Sequence, residues 1–189
     1  MRFGTDRANS HPVRAIVMAA VFAAGLWVSP REMMVFTALL GLLLVALSWI
    51  DLDSFRLPDL LTLGVALSGL AMVLLTRRES VLLHVAAGAG AYAMLVAVEL
   101  SYRALRKKDG LGRGDAKLFG ALGVWVGPLG LAPVLLAASV SGLLGALLLG
   151  AFRQPDQRVA FGPWLSLGGW LIWCAGSHLW PPLQSYAGR

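Results

Sequence analysis

One cysteine, ten acidic residues and little charge of either sign mark this chain first by what it lacks. A single cysteine, Cys174, can make neither an internal disulfide nor a four-thiolate zinc site, and the 189 residues contain no CxxC pair. Set in an apolar run, Cys174 reads as a small buried hydrophobe. Charged residues make up 14% of the chain, against about a quarter in an ordinary soluble domain. There is no 20–50-residue repeat and no low-complexity tract, which sets aside solenoids and tethers. What is abundant is apolar sequence: 58% of residues, with a mean hydropathy of +0.72. That composition belongs to the membrane class. The net charge of +6 is then loop bias rather than a nucleic-acid footprint, and no nucleic-acid partner is expected.

A transmembrane helix needs about 20 predominantly apolar residues. Seven stretches approach this: 13–29, 33–50, 60–76, 81–102, 116–132, 133–151 and 161–180. The expected fold is all-α, a polytopic helical membrane bundle of six to seven transmembrane helices. Its only segment ahead of the bundle is a short cytoplasmic N-terminus, 1–12, and the membrane domain covers 13–182. Gly127, Pro128, Gly130 and Pro133 predict a tight turn between the fifth and sixth stretches, so the fifth is short or broken. Arg14 before an apolar run resembles a signal peptide, but the charge-free second stretch follows closely, which favours a retained hairpin. With the N-terminus inside and strict alternation, inside segments hold twelve Lys and Arg residues and outside segments four. This positive-inside bias places the loops 51–59 and 103–117 together on the cytoplasmic face.

Seven of the carboxylates, Asp6, Glu32, Asp53, Glu79, Glu99, Asp109 and Asp156, read as ordinary or locally paired. Glu99 precedes Arg103 by four residues, the spacing of a helical ion pair. Asp59 follows Pro58 in the first turn of the third helix, where the dipole favours negative charge. Asp51 closes the apolar run 33–50 at a helix C-terminus, where negative charge is disfavoured. Asp115 heads the fifth stretch, after Gly112 and Gly114. A carboxylate at the bilayer rim is costly unless it faces a polar cavity. Two brought together share a proton. One can then take a proton from water while the other polarises a carbonyl. The two glycines let a backbone approach Asp115 closely. Solvated loop aspartates and an ion-coupled transporter also fit carboxylates at the membrane, and the spacing alone does not separate these readings.

"DLDSFRLPDLLTL" followed by "GLGRGDAKLFGALGVWVG" resembles the type IV prepilin peptidases, membrane aspartyl proteases of the GxGD type. The likeness runs from about Leu43 to Gly169 and includes "FGPWL" at 161–165. It implies that Asp51 and Asp115 are the catalytic pair, with Pro58, Asp59, Gly112, Gly114 and Lys117 in support. It also implies cleavage of short basic leaders from prepilins or pseudopilins at the cytoplasmic face of a bacterial inner membrane. No cofactor and no metal are expected. Two departures stand out. Zinc-binding CxxC motifs, which support N-methylation in many members, are missing, so methyltransferase activity is not expected. Ala160 stands where proline is common. Lys117 either holds Asp115 or a substrate carbonyl, or extends to the membrane interface. Arg113 reads as loop charge. Trp164 and Trp180, near the ends of the last stretch, suit an interfacial belt. A small proton- or cation-coupled transporter is the alternative function. It fits less well, because transporter carboxylates usually sit at mid-depth within repeats.

Overall fold

The computed structural model describes residues 5–106, 112–148 and 160–179. Every described element is helical: α1 (Thr5–Val28), α2 (Met34–Ser54), α3 (Asp59–Thr76), α4 (Val81–Arg106), α5 (Arg113–Leu148) and α6 (Gly162–Leu179). Short 3-10 turns at Arg31–Met33 and Arg78–Ser80 precede α2 and α4. Four stretches are long and apolar enough to cross a membrane: Arg31–Ser54, Asp59–Thr76, Arg78–Arg106 and Arg113–Leu147. Arg14–Val28 is a shorter apolar helix. Large apolar side chains such as Trp27, Leu60, Leu75, Leu82 and Leu105 point outward, as in a bundle whose solvent is lipid.

The centre is the first arm of α5. Ala116, Leu118, Phe119, Ala121, Leu122 and Trp125 are buried on all sides of it, the pattern of a helix enclosed by others. Its glycines let helices touch. A Cβ on Gly123 would lie 2.9 Å from the Gly88 Cα of α4, the close approach that small residues permit between membrane helices. The Trp125 indole N–H donates to the Val65 carbonyl of α3 at 2.7 Å. Its ring meets Trp173 of α6 edge-on at 4.9 Å.

The predicted turn is real but lies earlier than the 132/133 boundary. Gly127, with φ 67° and ψ −176°, interrupts α5 alone. Both arms pack on α6: Gly169 faces Leu122, while Gly168 faces Val134 and Ala138. A straight α5 would hold Leu122 and Val134 roughly 18 Å apart, so the chain reverses at Gly127. Pro128 opens the second arm, where its missing N–H is tolerated, and Pro133 is absorbed within it. Pro128 leaves the Val124 carbonyl, four residues back, without its helical donor. The His84 side chain of α4 supplies one: Nδ1 donates to that carbonyl at 2.9 Å.

Other boundaries shift by a turn. α1 begins at Thr5, inside the segment expected as a tail, and α2 continues through Ser54. α1 joins the bundle through Phe22, stacked on Trp170 at 5.7 Å, and through the Val21 carbonyl, which accepts from the Trp170 indole at 3.0 Å. Trp164 lies in the first turn of α6 and is only partly buried. It packs against Gly142 and Gly145 in the second arm of α5. Trp180 and residues 149–151 lie outside the described residues.

Candidate active site

The buried stripe of α2 runs Leu40, Leu44, Leu47 and Ser48, then Asp51. Three- and four-residue steps keep one helix face, so Asp51 faces the bundle interior and is 5% exposed. The helix ends one turn later. The Phe55 N–H donates to the Asp51 carbonyl at 2.9 Å, and Phe55 adopts a left-handed conformation with φ 53° and ψ 34°. Pro58 caps α3 with its carbonyl, which accepts from the Thr62 N–H at 3.1 Å and the Thr62 hydroxyl at 3.1 Å.

Asp115 is half-buried in the first turn of α5, and its N–H donates to the Gly112 carbonyl at 3.1 Å. The structure brings Asp51 and Asp115 onto one cavity of about 620 Å³. They lie close enough for the Asp51 charge to act on Asp115. Phe55, Pro58, Asp59 and Gly112 line the same cavity.

A third segment completes the site. The Gly162 N–H, at the start of α6, donates to Asp51 Oδ2 at 3.1 Å. A Cβ at Gly162 would stand 2.6 Å from that oxygen, so only glycine allows this approach. The dipole that disfavours Asp51 at the end of α2 is thus opposed by the positive end of α6. Sequence reading singles out "FGPWL" without a role for Gly162, whose partner lies 111 residues away.

The supporting residues divide. Lys117 does not hold Asp115; its Nζ pairs with Asp59 Oδ1 at 2.6 Å and ties α3 to α5. The space beside Gly114 is taken by Leu57, whose Cβ would lie 3.0 Å from an added Cβ. An added Cβ on Gly112 would lie 3.2 Å from Asp115 Oδ2. Glu99 forms the expected pair with Arg103 at 3.7 Å. Arg113, however, is not loop charge. Its Nε lies 3.6 Å from Glu99 Oε1, linking the head of α5 to α4. Glu99 is 3% exposed, while both arginines are largely open to solvent. Asp53 lies 3.9 Å from Arg14. Asp109, Lys107 and Lys108 lie outside the described residues.

Residues 38–147 match the model of the Type IV leader peptidase family. The chain is 39% identical over 140 residues to a prepilin leader peptidase/N-methyltransferase of Aeromonas hydrophila, covering 71% of this chain and 48% of the relative. It is 37% identical over 160 residues to a protein of the same name from Pectobacterium carotovorum subsp. carotovorum, covering 83% and 57%. A third protein of that name, from Xanthomonas campestris pv. campestris, is 34% identical over 184 residues, covering 94% and 63%. The chain thus spans roughly half to three fifths of the length of these curated relatives. No solved structure matches it.

Proposed function

The chain belongs to the type IV leader peptidase family, and from that premise we propose that it is a membrane aspartyl endopeptidase in which Asp51 and Asp115 activate water. The observation that carries this is the convergence of both aspartates, from separate segments, on one cavity. We take Asp51, whose carboxylate accepts the Gly162 N–H, as the base. Asp115 holds the proton that the pair shares. Water adds to the scissile carbonyl carbon as Asp51 takes its proton and Asp115 gives its own proton to the carbonyl oxygen. Collapse of the gem-diol breaks the C–N bond; the proton that Asp51 took goes to the leaving amine, and one gem-diol hydroxyl returns a proton to Asp115.

The substrate is a prepilin or pseudopilin, cut between a short basic leader and an apolar helix. The apolar helix stays in the bilayer and holds the scissile bond at the level of the aspartates, which substitutes positioning for a deep pocket. The positive-inside count supports a site on the cytoplasmic face, and the membrane is the inner membrane of a bacterium on this reading. Steering of a basic leader is weak, because Asp59 is paired with Lys117 and Asp53 lies near Arg14. We assign these 189 residues the hydrolytic step alone, since one cysteine supplies no CxxC.

The test is cleavage of a synthetic prepilin. Asp51→Asn and Asp115→Asn should each lower kcat on the order of 10⁴-fold or more, and the double variant should be no worse, because the pair acts as a unit. Substantial turnover by either single variant would remove the pair from the mechanism. In the same assay, mass analysis should find a free amine on the product, and a methylated product would overturn the restriction to hydrolysis.

A further inference from the structure

Phe55 is the one described residue other than glycine with a positive φ. Closing a helix in the left-handed conformation is a task for glycine, because a Cβ there crowds the following carbonyl. A bulky residue at such a position is a strained choice, and strain of this kind gathers at functional sites. The ring does not offset the strain by packing. Phe55 is 53% exposed and lies outside the buried core.

It lines the cavity that holds Asp51 and Asp115. That cavity is lined by side chains of two kinds. Ile50, Phe55 and Leu57 are apolar, whereas Arg56, Asp59 and Arg113 are charged. A substrate that changes from charged to apolar at the scissile bond finds partners of each kind there. We propose that Phe55 is a specificity-determining residue whose ring receives the first apolar side chains after the cut. This rests on the peptidase reading and adds a subsite to it. The backbone supports the assignment, since the Phe55 N–H is bonded to the Asp51 carbonyl. The backbone that carries the ring therefore sits at a fixed offset from that of the base, and a side chain lodged against the ring sets which peptide bond lies over the aspartates.

Substitution by glycine separates this role from a structural one. Phe55→Gly relieves the strained backbone, so the thermal midpoint in detergent should stay level or rise. Cleavage of the synthetic prepilin should nonetheless fall about tenfold in kcat/KM, chiefly through KM, the scale on which apolar contacts discriminate. Phe55→Leu keeps an apolar side chain and should stay within about threefold of wild type. Wild-type kinetics in Phe55→Gly would overturn the proposal.

A contact readout is independent of turnover. Benzoylphenylalanine replaces Phe55 in a chain that also carries Asp115→Asn, and the synthetic prepilin is irradiated with it in lipid vesicles. Crosslinks within the first few residues after the cut are expected. Crosslinks to lipid alone would make Phe55 a membrane anchor, and crosslinks to the leader alone would reverse the polarity of the site; either refutes the proposal. If the prepilin crosslinks there but wild type never cuts it, the peptidase reading fails and the contact stands. If wild type cuts it and no crosslink forms, the contact fails and the peptidase reading stands.

Discussion

Asp51 and Asp115 reach one cavity from opposite kinds of helix end. Asp115 sits in the first turn of α5, where unsatisfied N–H groups and the dipole favour a carboxylate. Asp51 sits in the last turns of α2, where the same physics works against it. The difference is made up by a third helix, whose first N–H, from Gly162, meets the Asp51 carboxylate. Asp115 is thus held largely by its own segment, whereas Asp51 depends on a segment more than a hundred residues away. One aspartate is local in its support and the other is tertiary.

If this contrast is right, the two glycines beside the carboxylates are unequal. Gly162→Ala pushes a Cβ to within 2.6 Å of Asp51 Oδ2. It should lower kcat on the order of 10²-fold, the loss expected when a reacting group is displaced by about 1 Å. Gly112→Ala meets only the end of the Asp115 side chain, at 3.2 Å, and should lower it severalfold at most. Equal losses in prepilin cleavage would dissolve the distinction between local and tertiary support.

A smaller effect is expected at the link between α4 and the head of α5. Glu99→Gln removes the charge that Arg113 and Arg103 share. Both arginines can turn to water, so the stability loss should be about 1 kcal/mol in thermal unfolding. Cleavage should fall only severalfold, because the α5 head keeps its own first-turn hydrogen bonds. A loss as large as that of Gly162→Ala would mean that Asp115 is supported tertiarily too.

Smallest of all should be the strap between α3 and α5. Lys117→Met and Asp59→Asn each break a solvent-exposed pair, whose worth is below about 1 kcal/mol. Less than a threefold change in kcat/KM is expected for either. An Asp59→Asn variant as inactive as Asp51→Asn would show that the wrong carboxylate has been paired with Asp115.

The helical fold was legible because long apolar runs between charged loops admit few alternatives. That Asp51 and Asp115 share a cavity was legible because two motifs stand in order on opposite sides of a helical hairpin. Other features were hidden for particular reasons. Gly162 carries no side chain to announce a partner, and its contact with Asp51 exists only once α6 packs beside α2. Glu99 already had a sufficient partner in Arg103, so nothing in the sequence called for Arg113. The break in α5 was signalled by four residues, Gly127, Pro128, Gly130 and Pro133. Only the positive φ at Gly127 says which of them turns the chain. The packing of Trp164 was hidden too, because the glycines that make room for its ring lie in the neighbouring arm.

The reversal at Gly127 bears on how this protein is made. The first arm of α5, residues 113–126, is roughly 21 Å long at 1.5 Å per residue, and the hydrocarbon core is about 30 Å thick. Inserted alone, it would leave its end in lipid, with the Val124 carbonyl bare beside Pro128, and hydrocarbon does not tolerate an unsatisfied backbone group. The two arms must therefore enter the bilayer as one unit, next to an α4 already in place to offer His84. Biogenesis then has an order: the helix that brings neither aspartate to the cavity has to be waiting before the segment that carries Asp115 can take its position.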